Sequence, residues 1–157
     1  METIKNALVS AGPANKDYYE KNYANNAAQL DQLNQEYKEA AAQFSKKDIV
    51  VAHQAFGYLC NAYGLNQVAI EGLAADSEPS PARIAEIVKF VQEKQLKYIF
   101  FEELVSPKVA QTIAQEIGAT TAVLNPLEGL TESDQKAVKE YFSIMRDNLE
   151  ILKKALQ

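Results

Sequence analysis

The stretch Asp48–Gly72, DIVVAHQAFGYLCNAYGLNQVAIEG, decides the fold. Asp48-Ile49-Val50-Val51-Ala52 is a short β-branched run, of the kind found in strands covered on both faces. Ala55 to Tyr63 reads as a helix stopped by Gly64, and Gln67-Val68-Ala69-Ile70 reads as a second strand. A strand, a helix and a strand in such quick succession form a crossover unit, and strands joined that way run parallel.

Downstream the pattern recurs. Ser80-Pro81 opens a helix whose apolar face is Ile84, Ile87, Val88 and Val91, and Tyr98-Ile99-Phe100-Phe101 is a third strand. Ser106-Pro107 opens the next helix, with Val109, Ile113 and Ile117 inward and Gly118 as its stop. Each Ser-Pro pair combines a capping hydroxyl with a preset φ. Thr121-Ala122-Val123-Leu124 is a fourth strand, and Thr131 with Asp134 begins a last helix running to about Leu156. Four strands alternating with helices predict an α/β fold: a four-stranded parallel sheet with helices on both faces, its crossovers right-handed.

Upstream the chain is different. From Pro13 to about Phe44 there is no glycine and no second proline, and apolar residues step by three and four from Tyr19 through Tyr23, Ala27, Leu30, Leu33, Tyr37 and Ala40. That is one long linking helix, preceded by a shorter one carrying Ile4, Ala7 and Leu8. At 1.5 Å per residue its roughly 32 residues span about 48 Å. A compact chain of this size measures roughly 40 Å across. The helix should overhang, which predicts either a partner chain or a second lobe. The division follows: residues 1–46 as amino-terminal helices and 47–157 as an α/β lobe.

Composition narrows the function. The chain has 157 residues, 47% of them hydrophobic, with a net charge of -5. An acidic balance argues against a nucleic-acid partner, which needs a basic footprint. No apolar run approaches the length of a membrane span, and METIKNALVSAG lacks the pattern of a signal peptide. One cysteine, Cys60, allows no internal disulfide and reads as a small core residue.

Ligands of open α/β sheets bind beyond the carboxyl ends of the strands. The strand ends here deliver His53, Glu71, Glu102-Glu103 and the loop Asn125-Pro126-Leu127-Glu128-Gly129. His53, the only histidine, is thereby a metal ligand, a general base or a packed residue. An imidazole with carboxylates suits zinc or manganese. No Gly-rich phosphate loop, nucleophile elbow, HExxH or CxxC competes.

IVVAHQAFGYL, YGLNQVAIEGLAADSEPSPARIAEIVKFV, KYIFFEELVSPKVAQTIAQEIGA and TAVLNPLEGLT resemble, in that order, the zinc-binding solute-binding components of bacterial metal ABC transporters. The likeness is greatest to the zinc lipoproteins of Gram-positive bacteria. These proteins have two lobes joined by one rigid helix, and ANKDYYEKNYANNAAQLDQLNQEYK resembles that helix. The resemblance implies a receptor, not an enzyme, that captures Zn²⁺ and delivers it to an ABC permease. It places the protein in the periplasm or lipid-anchored on the outer face of the membrane. It assigns His53 and Glu128 as metal ligands; the other two, both histidines, belong to an amino-terminal lobe missing from this chain. Glu71, Glu102 and Glu103 match no ligand, and one of the latter two is expected to hydrogen-bond near the site. The imidazole must be neutral to bind, so acid should weaken capture. A manganese receptor, a module pairing two copies through the long helix, and a small flavodoxin-like enzyme with His53 as base are the competing readings.

Overall fold

The computed structural model describes residues 1–72, 79–102 and 106–157. Helix α1 (Glu2–Ala11) and a single 3₁₀ turn (Pro13–Asn15) lead into the long helix α2 (Lys16–Gln43). The α/β part follows as β1 (Asp48–Val51), α3 (Gly57–Tyr63), β2 (Asn66–Ala69), α4 (Pro81–Glu93), β3 (Tyr98–Phe101), α5 (Lys108–Ile117) and β4 (Thr120–Val123). Two further helices, α6 (Glu132–Lys136) and α7 (Tyr141–Leu156), close the chain.

All strand pairs are parallel, and the sheet order is β2-β1-β3-β4. The chain thus steps outward from β1 to β2, then returns across β1 to place β3 on its other side. The direction of winding changes between β1 and β3, and that is where such sheets open a crevice at their carboxyl edge.

Alternation along β1 explains the unbroken apolar run. Ile49 and Val51 join Phe100 and Leu124 in a core packed on Tyr37, Phe44, Leu149 and Leu152. Val50 joins Ile70 and Ile99 in a second core packed on Ile87, Val91, Ala110 and Ile113. Helices α2, α3 and α7 therefore cover one face and α4 and α5 the other, as the strand pattern predicts. At roughly 25 cal/mol per Å² of apolar surface removed from water, these two layers supply the main favourable contribution to folding.

Helix α2 is anchored by its second half only. Its buried residues are Leu33, Tyr37, Ala40 and Ala41. The Tyr37 hydroxyl donates to Met145 O at 2.6 Å, and its ring stacks on Tyr63 with centroids 4.9 Å apart. Arg146 makes a bidentate pair with Glu36 at 2.9 and 3.2 Å. Before Leu30, the helix meets α1, and no residue of α1 is buried.

Local signals held in part. Ser80 caps α4, its hydroxyl accepting from Arg83 N, with Pro81 in the first turn. At α5 the N-cap is Pro107 itself, with no side-chain cap, so the Ser106 hydroxyl does not take the predicted role. Gly64 and Gly118 end α3 and α5 at φ 67, the left-handed geometry that a residue without Cβ adopts freely. The last helix is not continuous. Thr131 caps α6 through Asp134 N, but the chain turns at Ala137–Val138, with Val138 at φ 52, and restarts at Glu140. Glu140 and Ser143 form a reciprocal capping box that begins α7 afresh. No Gly or Pro marks this break, so the apolar periodicity reads straight through it.

Candidate metal centre

The carboxyl end of β1 is tied down at every residue. Glu71 N donates to Ala52 O at 2.8 Å, Gln54 N to Gly72 O at 3.1 Å and Ala55 N to His53 O at 2.9 Å. The Gln67 side-chain oxygen accepts from Phe56 N at 2.6 Å. His53 therefore leaves the strand in a loop with little freedom, and only 4% of its surface is exposed.

Glu102, immediately after β3, lies beside it across the winding reversal. It is 1% exposed. Its Oε1 accepts from the His53 backbone N–H at 3.4 Å, and its Oε2 is 3.2 Å from His53 Nδ1. The second pair is in ion-pair range without the alignment of a full hydrogen bond. Both atoms are sealed from solvent, and neither has another hydrogen-bond partner among the described residues.

Glu128 arrives on the loop after β4. Asn148, buried on α7, bonds Asn125 twice: its amide donates to Asn125 O at 2.8 Å and its oxygen accepts from Asn125 N at 2.9 Å. The Asn125 side chain then accepts from Leu127 N at 2.8 Å, and Leu127 takes φ 64. This turn aims Glu128 back over β1. Glu128 Oε1 stops 3.6 Å from His53 Nε2, with its side chain 59% exposed. Both groups line an open cavity of about 630 Å³ with Gln54, Ala55, Gly57, Tyr58 and Asn61. Tyr58 is 96% exposed at its mouth.

The 3.6 Å spacing is long for a hydrogen bond. It suits two ligands of one ion: tetrahedral zinc with its usual N and O bond lengths sets them about 3.4 Å apart. Among the described residues, no cluster of three or more His, Cys, Asp or Glu side chains is arranged to hold a metal. Among the described residues, Nε2 and Oε1 face each other at this edge.

Residues 1–155 match the family model for the zinc-uptake complex component A, periplasmic. The chain belongs to this family. It is 45% identical over 156 residues to the high-affinity zinc uptake system protein ZnuA of Bacillus subtilis, covering 99% of this chain and 49% of that protein. It is also 45% identical over 153 residues to the zinc-binding lipoprotein AdcA of Streptococcus pneumoniae, covering 98% of this chain and 30% of that protein. The crystal structure of the Zn(II)-bound ZnuA-like domain of S. pneumoniae AdcA superposes with a TM-score of 0.83 at 44% identity, covering 99% of this chain and 58% of that one. The chain thus spans half or less of the length of these two relatives.

Of the strand-end residues named from the sequence, the structure brings His53, Glu102 and Glu128 together. Glu71 follows β2 and extends its pairing with β1 through its backbone, and Glu103 lies outside the described residues. The expectation that Glu102 or Glu103 would hydrogen-bond near the site is met by Glu102. Asn148 was missed. It sits among the polar positions of a helix, and nothing in a single sequence distinguishes an asparagine turned inward from one in solvent. Cys60 is buried, and burial pushes its thiol up to about 11, so it behaves as the core residue expected.

Proposed function

We propose that this chain is the long helix and carboxyl-terminal lobe of a zinc receptor, with His53 and Glu128 as its two ligands to the captured ion. The observation that carries the reading is the 3.6 Å approach of Nε2 and Oε1 at the carboxyl edge of the sheet. Zinc is cargo here, bound and released unchanged. The rest of its coordination comes from a preceding lobe, and the full receptor hands the ion to an ABC permease.

Family membership and the zinc-named relatives support the choice of metal. An imidazole nitrogen adds to it, because manganese favours a more oxygen-rich set. The relatives named as lipoproteins support a place outside the cell membrane. Among the described residues no helix is long and apolar enough to cross a membrane.

The groove between α1 and α2 supports the two-lobe arrangement. Ile4, Leu8 and Tyr18 are exposed there, lining it with Tyr19 and Tyr23. We place the preceding lobe against it; a second copy of the chain is the competing occupant. Sedimentation decides between them: a monomer at high concentration supports the lobe, a tight dimer the second copy. Zinc titration of a longer version, with both lobes, tests the ligand assignment. Normal capture after both His53→Ala and Glu128→Ala would overturn it.

A further inference from the structure

Glu102 is the most deeply buried acidic side chain among the described residues, at 1% exposure, and it is not assigned to the ion. It faces one backbone donor and one ring nitrogen of the same residue. The His53 backbone N–H points to Oε1 at 3.4 Å, and the Nδ1 edge of the same imidazole lies 3.2 Å from Oε2. With a proton on Nδ1 the ring becomes a second donor, and a carboxylate accepts both from one group. An amide of the same shape supplies one acceptor and one donor, so it cannot satisfy both. The remaining ring nitrogen, Nε2, faces Glu128 and the open cavity.

A neutral imidazole carries one N–H, and which nitrogen holds it is set by the partner of the other. In solution the Nε2–H form of a histidine side chain predominates, and that form has no lone pair to give at Nε2. We propose that Glu102 is a positioning residue that holds the His53 proton on Nδ1, leaving Nε2 bare towards the cavity before any metal arrives. The same contacts fix the ring plane, through the backbone on one oxygen and the ring on the other. Glu102 itself stays off the ion, because it addresses the nitrogen on the far side of the ring. Its place follows from the topology: β1 and β3 are neighbours at the winding reversal, so residues just beyond their ends meet. The inference rests on the ligand reading of His53 only for its consequence for zinc; the proton position stands by itself.

The chain has a single histidine, so the imidazole signals of the ¹⁵N-labelled protein need no assignment. In mildly alkaline, metal-free solution, long-range ¹H–¹⁵N correlation should show the wild type mainly in the Nδ1–H form. Glu102→Gln, which keeps the volume, should shift the population to Nε2–H, with backbone amide signals reporting an intact fold. Glu102→Asp should restore part of the Nδ1–H population. Zinc titration of the same samples should move the wild-type Nε2 signal, with the apparent affinity falling roughly 10- to 100-fold in Glu102→Gln. A wild-type ring found mainly as Nε2–H overturns the proposal whatever the variants do. So does a Glu102→Gln protein with the wild-type tautomer ratio. If the tautomer responds to Glu102 but zinc leaves Nε2 unmoved in the wild type, the positioning role stands and the zinc reading fails.

Discussion

Two carboxylates address the two edges of one imidazole, and they are built differently. Glu102 forms the floor of the site: it follows a central strand, is 1% exposed, accepts from the His53 backbone N–H and lies 3.2 Å from the ring nitrogen Nδ1. Glu128 forms the lip: it stands on a loop, its side chain is 59% exposed, and its position depends on a clamp from α7. Strand ends are held by the ladder on both sides, so a group placed there is fixed during folding. A loop group can keep its solvent shell until an ion replaces it. On the proposed reading, the difference separates the residue that prepares His53 from the residue that would share its cargo.

Four substitutions break or sharpen that contrast. The largest effect belongs to His53, which both carboxylates serve. In a two-lobe version, His53→Ala should cost more zinc affinity than the roughly 100-fold that loss of a supporting partner can cost. Calorimetry measures it. Glu128→Gln should weaken capture on the order of 10-fold or more, because a neutral amide replaces the proposed anionic ligand. Its melting temperature should match the wild type, since the side chain is exposed. A large loss of stability would place Glu128 in the floor rather than the lip.

Asn148→Ala comes third. It removes the partner of both Asn125 backbone groups, and leaving buried groups unpaired costs about 1–3 kcal/mol. Thermal melting should fall by about 2–4 °C for each kcal/mol in a chain of this size. Zinc affinity in the two-lobe version should fall less than in Glu128→Gln, because the loop loosens but keeps its ligand.

The smallest effect is expected far from the site, at Glu36. Its carboxyl is held below the usual range mainly by the hydrogen bond from Arg146. A depressed carboxyl stabilises the fold above its unfolded value, and that contribution is lost as pH falls through the folded value. Glu36→Gln should therefore lower the melting temperature slightly near neutral pH, with the gap closing in acid. Both side chains are about a third exposed, so added salt should shrink the gap as well.

The fold was legible because its signals are local. The β-branched run at Asp48–Ala52, the aromatic-rich run at Tyr98–Phe101 and the capped start at Ser80-Pro81 each mark an element without reference to the rest of the chain. Sheet order was not legible, since a run of residues carries no record of which strand lies beside it. That gap left open which of Glu102 and Glu103 would meet His53; Glu102, 49 positions away, does so because β3 returns to the side of β1. The break at Ala137–Glu140 was hidden for another reason. Its stop is a left-handed valine and its restart a Glu-Ser box, neither of which interrupts the apolar spacing. The proposed ligand pair came from the resemblance to family motifs; the residues alone left metal ligand, base and packed residue open.

The most direct test is zinc calorimetry on this chain as it stands, beside its His53→Ala variant. Two protein ligands with water completing the shell should give weak one-to-one binding to the wild type, and none at that site in the variant. Nanomolar binding by a monomer, or a binding curve unchanged by His53→Ala, would contradict the account.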